Sequence, residues 1–219
     1  MMPHVTTAKP RPTKPARGTC TPETWVEAAT EVLVDQGVDR VRVDVLAQEL
    51  GMTRGSFYWH FKDREELLRR VLQAWRNSAT EALTQRLERA HTDPREQLQD
   101  LVSLPWRGRA AVRAARIELA IRAWGRRDEM AAQVVREADE SRLGYIAQVF
   151  SALGFGVMDA RRRAFILYSS LLGDSLLGEL SEHAAVAQRR ARLELIEGLF
   201  TATLGCADER TPEHASAVA

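Results

Sequence analysis

From Pro22 to about Leu204 the apolar residues of this chain recur at spacings of three and four, and no run of them alternates with polar residues. A period near 3.6 fits amphipathic helices and does not fit half-buried strands. The fold class that follows is all-α, with about nine helices and no internal repeat. Hydrophobic residues make up 45% of the 219, enough to bury a core.

Gly, Pro and acidic residues mark where the helices begin and end. Thr21 precedes Pro22, a favoured pair for a cap and a first helical position. Trp25, Ala28, Ala29, Val32 and Leu33 then form one face, and Gly37 ends the first helix. Short helices are expected over 45–50 and 54–61, the first closed by Gly51. A fourth opens near Asp63, with Glu65 and Glu66 suited to a helix N-terminus, and runs without Gly or Pro toward Leu87. Asp93 before Pro94 starts a helix that reaches Ser103. Further helices are expected from Leu104 to Gly125, from 127–128 to Leu153, over Asp159–Leu180 and over Ala185–Leu204.

Charge narrows the function classes. Lys plus Arg number 31 and Asp plus Glu 30, a net charge of +1. That excludes a polycation or an acidic tail protein, so any charge-driven binding needs a local patch. One such patch is the first 19 residues, where Lys9, Arg11, Lys14 and Arg17 stand among Pro3, Pro10, Pro12 and Pro15 without an acid. It reads as a disordered basic arm, either a solvated tail or a segment that follows DNA phosphates. Cys20 and Cys206 are too far apart in sequence to suggest a disulfide framework or a zinc site. The longest charge-free stretch, Leu143–Met158, is shorter than the ~20 residues of a bilayer span and holds three glycines. No apolar segment follows the N-terminus, so the expected location is the cytoplasm, without membrane contact.

The informative motif is VDVLAQELGMTRGSFYWHFKDR, residues 43–64. Two short helices flank Gly51, Met52 and Thr53. Gly51 supplies the left-handed conformation of a sharp turn, and Thr53 can cap the second helix. This is helix-turn-helix spacing. Phe57 and Phe61 share a helical face and are expected inside. Arg54, Gly55, Tyr58 and Trp59 occupy an adjoining arc, which makes sense if that arc meets a ligand as large as DNA. Lys62 and Arg64 follow where phosphates could sit.

Residues 21–75 resemble the DNA-binding domain of the TetR family of transcriptional regulators. LAQELGMTRGSFYWHFKDREELL is similar to the family's turn, recognition helix and start of helix four. The resemblance implies an N-terminal three-helix helix-turn-helix domain and a helical ligand-binding and dimerisation domain. The boundaries would be 1–19 for the arm, 20–75, 76–205, and 206–219 for a flexible tail. It implies base contacts from Arg54 and Gly55, phosphate contacts from Thr53, Ser56 and His60, and packing of Tyr58 on the DNA backbone or thymine methyls. Arg64 falls where the family usually has a phosphate-binding Lys; the charge is kept and the geometry changed. Arg42 stands where the family often caps helix two, and is expected as a phosphate contact instead. Trp59 and Lys62 complete the expected DNA surface. The partners implied are an operator duplex, a small-molecule effector of unknown identity and a second copy of the chain, with no cofactor.

For the second domain, Ala164, Leu167, Tyr168, Leu171 and Ser175 form one apolar face, and Phe165, Ser169, Leu172, Leu176 and Leu180 nearly the opposite one. A helix apolar on two sides is buried on two sides. The expected dimer contacts are Leu167, Leu171 and Ser175, with Leu193, Ile196 and Phe200 from the last helix, in a four-helix bundle between subunits. Candidate walls of an effector pocket are Trp106, Trp124, Phe150, Phe165, Tyr168 and Leu172. Candidate polar contacts are Glu118, Arg122 and Asp174. Glu118 and Arg122 stand at i,i+4, where a surface ion pair is the plain alternative.

Two other readings remain open. One is a ligand-independent DNA-binding protein controlled by a protein partner. The other is an all-helical enzyme, against which stands the lack of a metal-spaced His pair, nucleophile elbow, phosphate loop or dinucleotide fingerprint. No catalytic or metal-ligating residue is expected.

Overall fold

The computed structural model describes residues 21–104 and 108–180, together with 191, 194 and 195; side chains of 175–180 are not among those described. Nine α-helices are present among the described residues: α1 (Pro22–Gln36), α2 (Val43–Leu50), α3 (Arg54–Tyr58), α4 (Arg64–Arg76), α5 (Ala82–Ala90), α6 (Pro94–Ser103), α7 (Gly108–Gly125), α8 (Glu129–Ala152) and α9 (Val157–Leu180). No strand occurs among them. The chain divides into two compact units between Val71 and Leu72, inside α4 and a few residues before the expected boundary at 75. None of the described helices is long and apolar enough to cross a membrane.

In the first unit, Trp25, Ala29, Val32 and Leu33 of α1 are buried, as are Leu46 and Ala47 of α2 and Leu67, Leu68 and Val71 of α4. The centre is aromatic. Phe57 meets Trp25 edge-on at 5.4 Å between ring centroids and stacks on Phe61 at 5.2 Å. Such pairs contribute ~0.5–1.5 kcal/mol beyond their buried area. Thr21 is the residue before α1, but its hydroxyl faces that of Thr24 at 3.3 Å and caps no backbone amide.

The second unit is built on the α8–α9 hairpin. Tyr145, Ile146, Val149 and Phe150 of α8 pack with Ala160, Ala164, Leu167 and Tyr168 of α9, and Leu87, Leu98, Leu101 and Val102 close the cluster. α8 begins as its sequence suggests, with the Asp128 carboxylate accepting from the Ala131 amide at 3.1 Å. Asp93 caps α6 in the same manner, from the Arg95 amide at 2.9 Å.

Two expectations are corrected. The helix expected unbroken from Asp63 toward Leu87 is α4 and α5 joined by a π-helical turn, Asn77–Glu81. The buried positions explain it: Trp75 and Thr80 are both buried, five residues apart, a step that an α-helix does not place on one face. On α9 the apolar face expected at the dimer contact is the one that meets the subunit's own core. Leu167, expected at the dimer contact, is fully buried in its own core, and Leu171 packs against that core. The outward face carries Phe165 and Ile166, 62% and 58% exposed. The expected helix over 185–204, with Leu193, Ile196 and Phe200, lies outside the described residues, as do the N-terminal arm, the C-terminal tail and the Ser175 side chain.

Candidate DNA interface and effector cavity

The helix-turn-helix geometry follows from local chemistry. Gly51 adopts φ 64° and ψ 31°, the left-handed conformation, and ends α2. The Met52 amide then reaches back to the Ala47 carbonyl at 2.8 Å, which the Gly51 amide also engages, and this closes the helix end. The Thr53 hydroxyl accepts from the Ser56 amide at 3.3 Å and starts α3. The helix is short, so its two faces are sharply sorted. Phe57 is fully buried, whereas Tyr58 is 58% and Trp59 87% exposed. Thr53, Arg54, Gly55 and Lys62 are also exposed, and Ser56 and His60 half-buried. An indole left almost wholly in water has no folding role, and beside a guanidinium and a phenol it forms a surface suited to base edges and phosphates.

The helix exit is held by reciprocal hydrogen bonds. The Asp63 carboxylate accepts from the Glu66 amide at 2.8 Å, and the Glu66 carboxylate accepts from the Lys62 amide at 2.8 Å. This resembles a capping box. It orients the segment that carries Lys62.

Two expected phosphate contacts have other partners. Arg64 donates from Nε to the Val41 carbonyl at 2.5 Å and from Nη2 to the Val38 carbonyl at 2.6 Å. Its guanidinium therefore closes the short 3₁₀ turn Val38–Arg40 onto α4, a positioning role within the unit. Arg42 pairs with Asp44, at 3.2 Å from Nε and 3.3 Å from Nη2. Both groups are exposed, so the pair is weak and screened by salt.

The second unit contains a cavity of about 460 Å³. Its walls are mainly apolar: Leu83 and Leu87 from α5, Leu101, the alanines 110, 111, 114 and 115 of α7, Ile146 of α8, and Leu171 and Leu172 of α9. The alanines of α7 explain the space, since larger side chains there would fill it. One part of the lining is polar, formed by Thr80, Glu118, Arg142 and Tyr168.

Of the residues expected at a pocket, Glu118, Tyr168 and Leu172 line this cavity. Trp124 and Phe150 are buried and do not line it, Phe150 being part of the α8–α9 core. Phe165 points outward, Asp174 is half-buried outside the lining, and Trp106 lies outside the described residues. Arg122 stands behind the wall, where it orders Glu118 and Asp139.

Arg142 is the residue that sequence reasoning missed. Its Nη1 and Nη2 donate to the two oxygens of Glu118 at 3.0 and 3.1 Å, and its Nε donates to the Thr80 hydroxyl at 3.1 Å. Tyr168 accepts from Arg142 at 2.9 Å and donates to Asp139 at 2.6 Å. Burial pushes the Tyr168 hydroxyl well above its usual pKa, so it stays a donor at neutral pH. Burial alone would raise Asp139, but hydrogen bonds from Arg122 and Tyr168 hold its carboxyl below the usual aspartate value. No group of three or more His, Cys, Asp or Glu among the described residues could hold a metal ion.

Residues 26–71 match the family profile described as bacterial regulatory proteins, tetR family. Among curated relatives, the regulator SrpR of Pseudomonas putida is 47% identical over 47 residues, 22% of this chain and 22% of its own length. The class A tetracycline repressor protein from transposon 1721 of Escherichia coli is 36% identical over 53 residues, 24% of each chain. The chain thus spans between about a fifth and a third of the length of the curated relatives it matches. The fold as a whole is similar to that of a transcriptional regulator from Rhodococcus sp. Rha1, with TM-score 0.67 and 20% identity over 83% of this chain and 96% of that one. A regulator from Saccharomonospora viridis, solved in complex with choline, gives TM-score 0.67 and 20% identity over 79% and 93%.

Proposed function

We propose that the chain, whose residues 26–71 match the tetR family profile, is a transcriptional repressor of that family that binds a palindromic operator as a dimer and is released by a small, mostly apolar molecule. The observation that carries the DNA-binding part is α3. Five residues long, it buries Phe57 and leaves Arg54, Tyr58 and Trp59 in water. Arg54 at its N-terminus is the residue for base readout, since a guanidinium can bridge guanine O6 and N7. The test is selection of bound sites from random duplexes. A two-fold symmetric site with half-sites ~34–36 Å apart is the expected result. Arg54→Ala relaxes base preference at one position per half-site and costs ~1–3 kcal/mol there. Equal loss on all sequences would make Arg54 a phosphate contact.

The dimer reading rests on the outward face of α9. Phe165 and Ile166 are large apolar residues exposed side by side on a helix whose other face is core. Such a patch suits a two-fold contact. The wild-type chain is expected to sediment at twice its 24.6 kDa. Ile166→Glu is expected to give monomers that bind the operator weakly. A monomeric wild type at micromolar concentration would contradict the dimer.

The effector reading rests on the cavity, whose volume lies within the ~300–1,000 Å³ of small-molecule sites. The helical run from Arg64 through the π-helical turn to Ala90 joins residues near α3 in sequence to Leu83 and Leu87 of the cavity wall. An effector acting along it must favour the DNA-incompetent state, and operator then weakens effector binding by the same factor.

A further inference from the structure

The polar part of the cavity wall is electrically complete, and this restricts what can bind there. Glu118, Arg142, Arg122 and Asp139 bring two negative and two positive charges together. All four carboxylate oxygens are already in use. Glu118 Oε1 accepts from Arg122 Nε at 2.8 Å and Arg142 Nη1 at 3.0 Å, and Oε2 accepts from Arg142 Nη2 at 3.1 Å. Asp139 Oδ1 accepts from Arg122 and Tyr168, and Oδ2 from Arg122 at 3.0 Å. The Glu118 side chain is 11% exposed and that of Arg142 12%, so neither is bathed in water. The remaining ion in the lining, Arg86, is exposed, and solvent screens it.

We infer that the end of the ligand that reaches Glu118 and Arg142 is uncharged, so that the effector is a neutral molecule or an amphiphile that inserts an uncharged end first. The inference rests on the reading of the cavity as the effector site. An anion entering there finds Arg142 already bidentate on Glu118, and a cation finds Glu118 already shared by two guanidiniums. Either must break an internal pair and leave a buried charge uncompensated. A neutral group costs neither, and the leucine, isoleucine and alanine walls favour its apolar body.

Three eight-carbon probes separate the possibilities: octan-1-ol, octanedioate and 1,8-diaminooctane. The two ions carry charge at both ends, so whichever end enters brings charge with it. Titration of the 219-residue chain at pH 7 is expected to show octan-1-ol binding at least tenfold tighter than either ion. Ala115→Phe, which fills the cavity, abolishes that binding. Glu118→Gln leaves the site with one excess positive charge, and octanedioate gains at least tenfold relative to octan-1-ol. Should that variant not fold, Arg142→Gln makes the complementary change, and the diamine gains instead. The inference is overturned if either ion matches octan-1-ol on the wild type, if none of the three binds up to about 1 mM, or if the folded variant shows no gain. Operator binding by the same preparations is measured separately. If it persists while the probe series fails, only this inference falls; if it is absent, the regulator reading falls.

Discussion

Arg64→Ala is expected to destabilise the N-terminal unit by about 2–4 kcal/mol, while leaving the salt dependence of operator binding unchanged. The guanidinium donates to two backbone carbonyls, Val41 at 2.5 Å and Val38 at 2.6 Å. A hydrogen bond to a charged group contributes ~1.5–3 kcal/mol, and truncation removes the guanidinium from both carbonyls, although that of Val38 keeps the Val41 amide at 3.1 Å. Partial exposure of Arg64 lets water recover some of this. Arg64→Lys restores at most one of the two bonds, because an ammonium cannot span both acceptors as a planar fork does. Urea unfolding of the full chain measures the first effect, and the slope of log affinity against log salt measures the second. A stable variant whose slope shallows by about one unit would return Arg64 to the DNA surface.

Glu118→Ala is expected to be the more damaging change in the second unit, costing ~3–5 kcal/mol. It removes the carboxylate that Arg142 and Arg122 share and leaves two guanidiniums facing each other in a largely buried place. Replacing Glu118 and Arg142 together by Leu and Met should cost far less, since a buried ion pair exchanged for packed apolar side chains is often close to neutral. Thermal unfolding of the single and double variants decides this, and equal losses would mean that the pair itself supplies the stability. Acid weakens the same network. Asp139 has its pKa lowered in the folded chain, so its contribution is complete above the ordinary aspartate value. It is lost as pH falls below that value through the folded one. Asp139→Asn should flatten this part of the acid-unfolding curve.

The helix-turn-helix was readable because its determinants are local. Gly51, Thr53, Phe57 and Phe61 lie within eleven consecutive positions, and each acts on a neighbour a few residues away. The partners of Arg64 were hidden for the opposite reason. Its acceptors are backbone carbonyls 23 and 26 residues upstream, and a carbonyl has no residue identity to recognise. The i,i+4 spacing of Glu118 and Arg122 was visible, but a surface pair and a cavity wall share it. Arg142 and Asp139, which decide between them, come from another helix. On α9 the periodicity exposed two apolar arcs without saying which would meet the subunit's own core. Burial of Leu167 and exposure of Phe165 depend on where α8 lies.

The π-helical turn sets an angular phase. Along an α-helix, residues five apart point about 140° away from each other, so a uniform helix would turn Thr80 away from the side on which Trp75 lies. Here the wider turn brings both to Arg142, which sits 5.3 Å over the Trp75 ring and donates to the Thr80 hydroxyl. The rotational setting of α5 is therefore registered by a single side chain that also forms part of the cavity wall. Were the turn to relax to α-helical winding, every residue after Glu81 would be rotated relative to Trp75, and Leu83 and Leu87 would move out of the wall together. The cavity and the helical register are two readings of one dial.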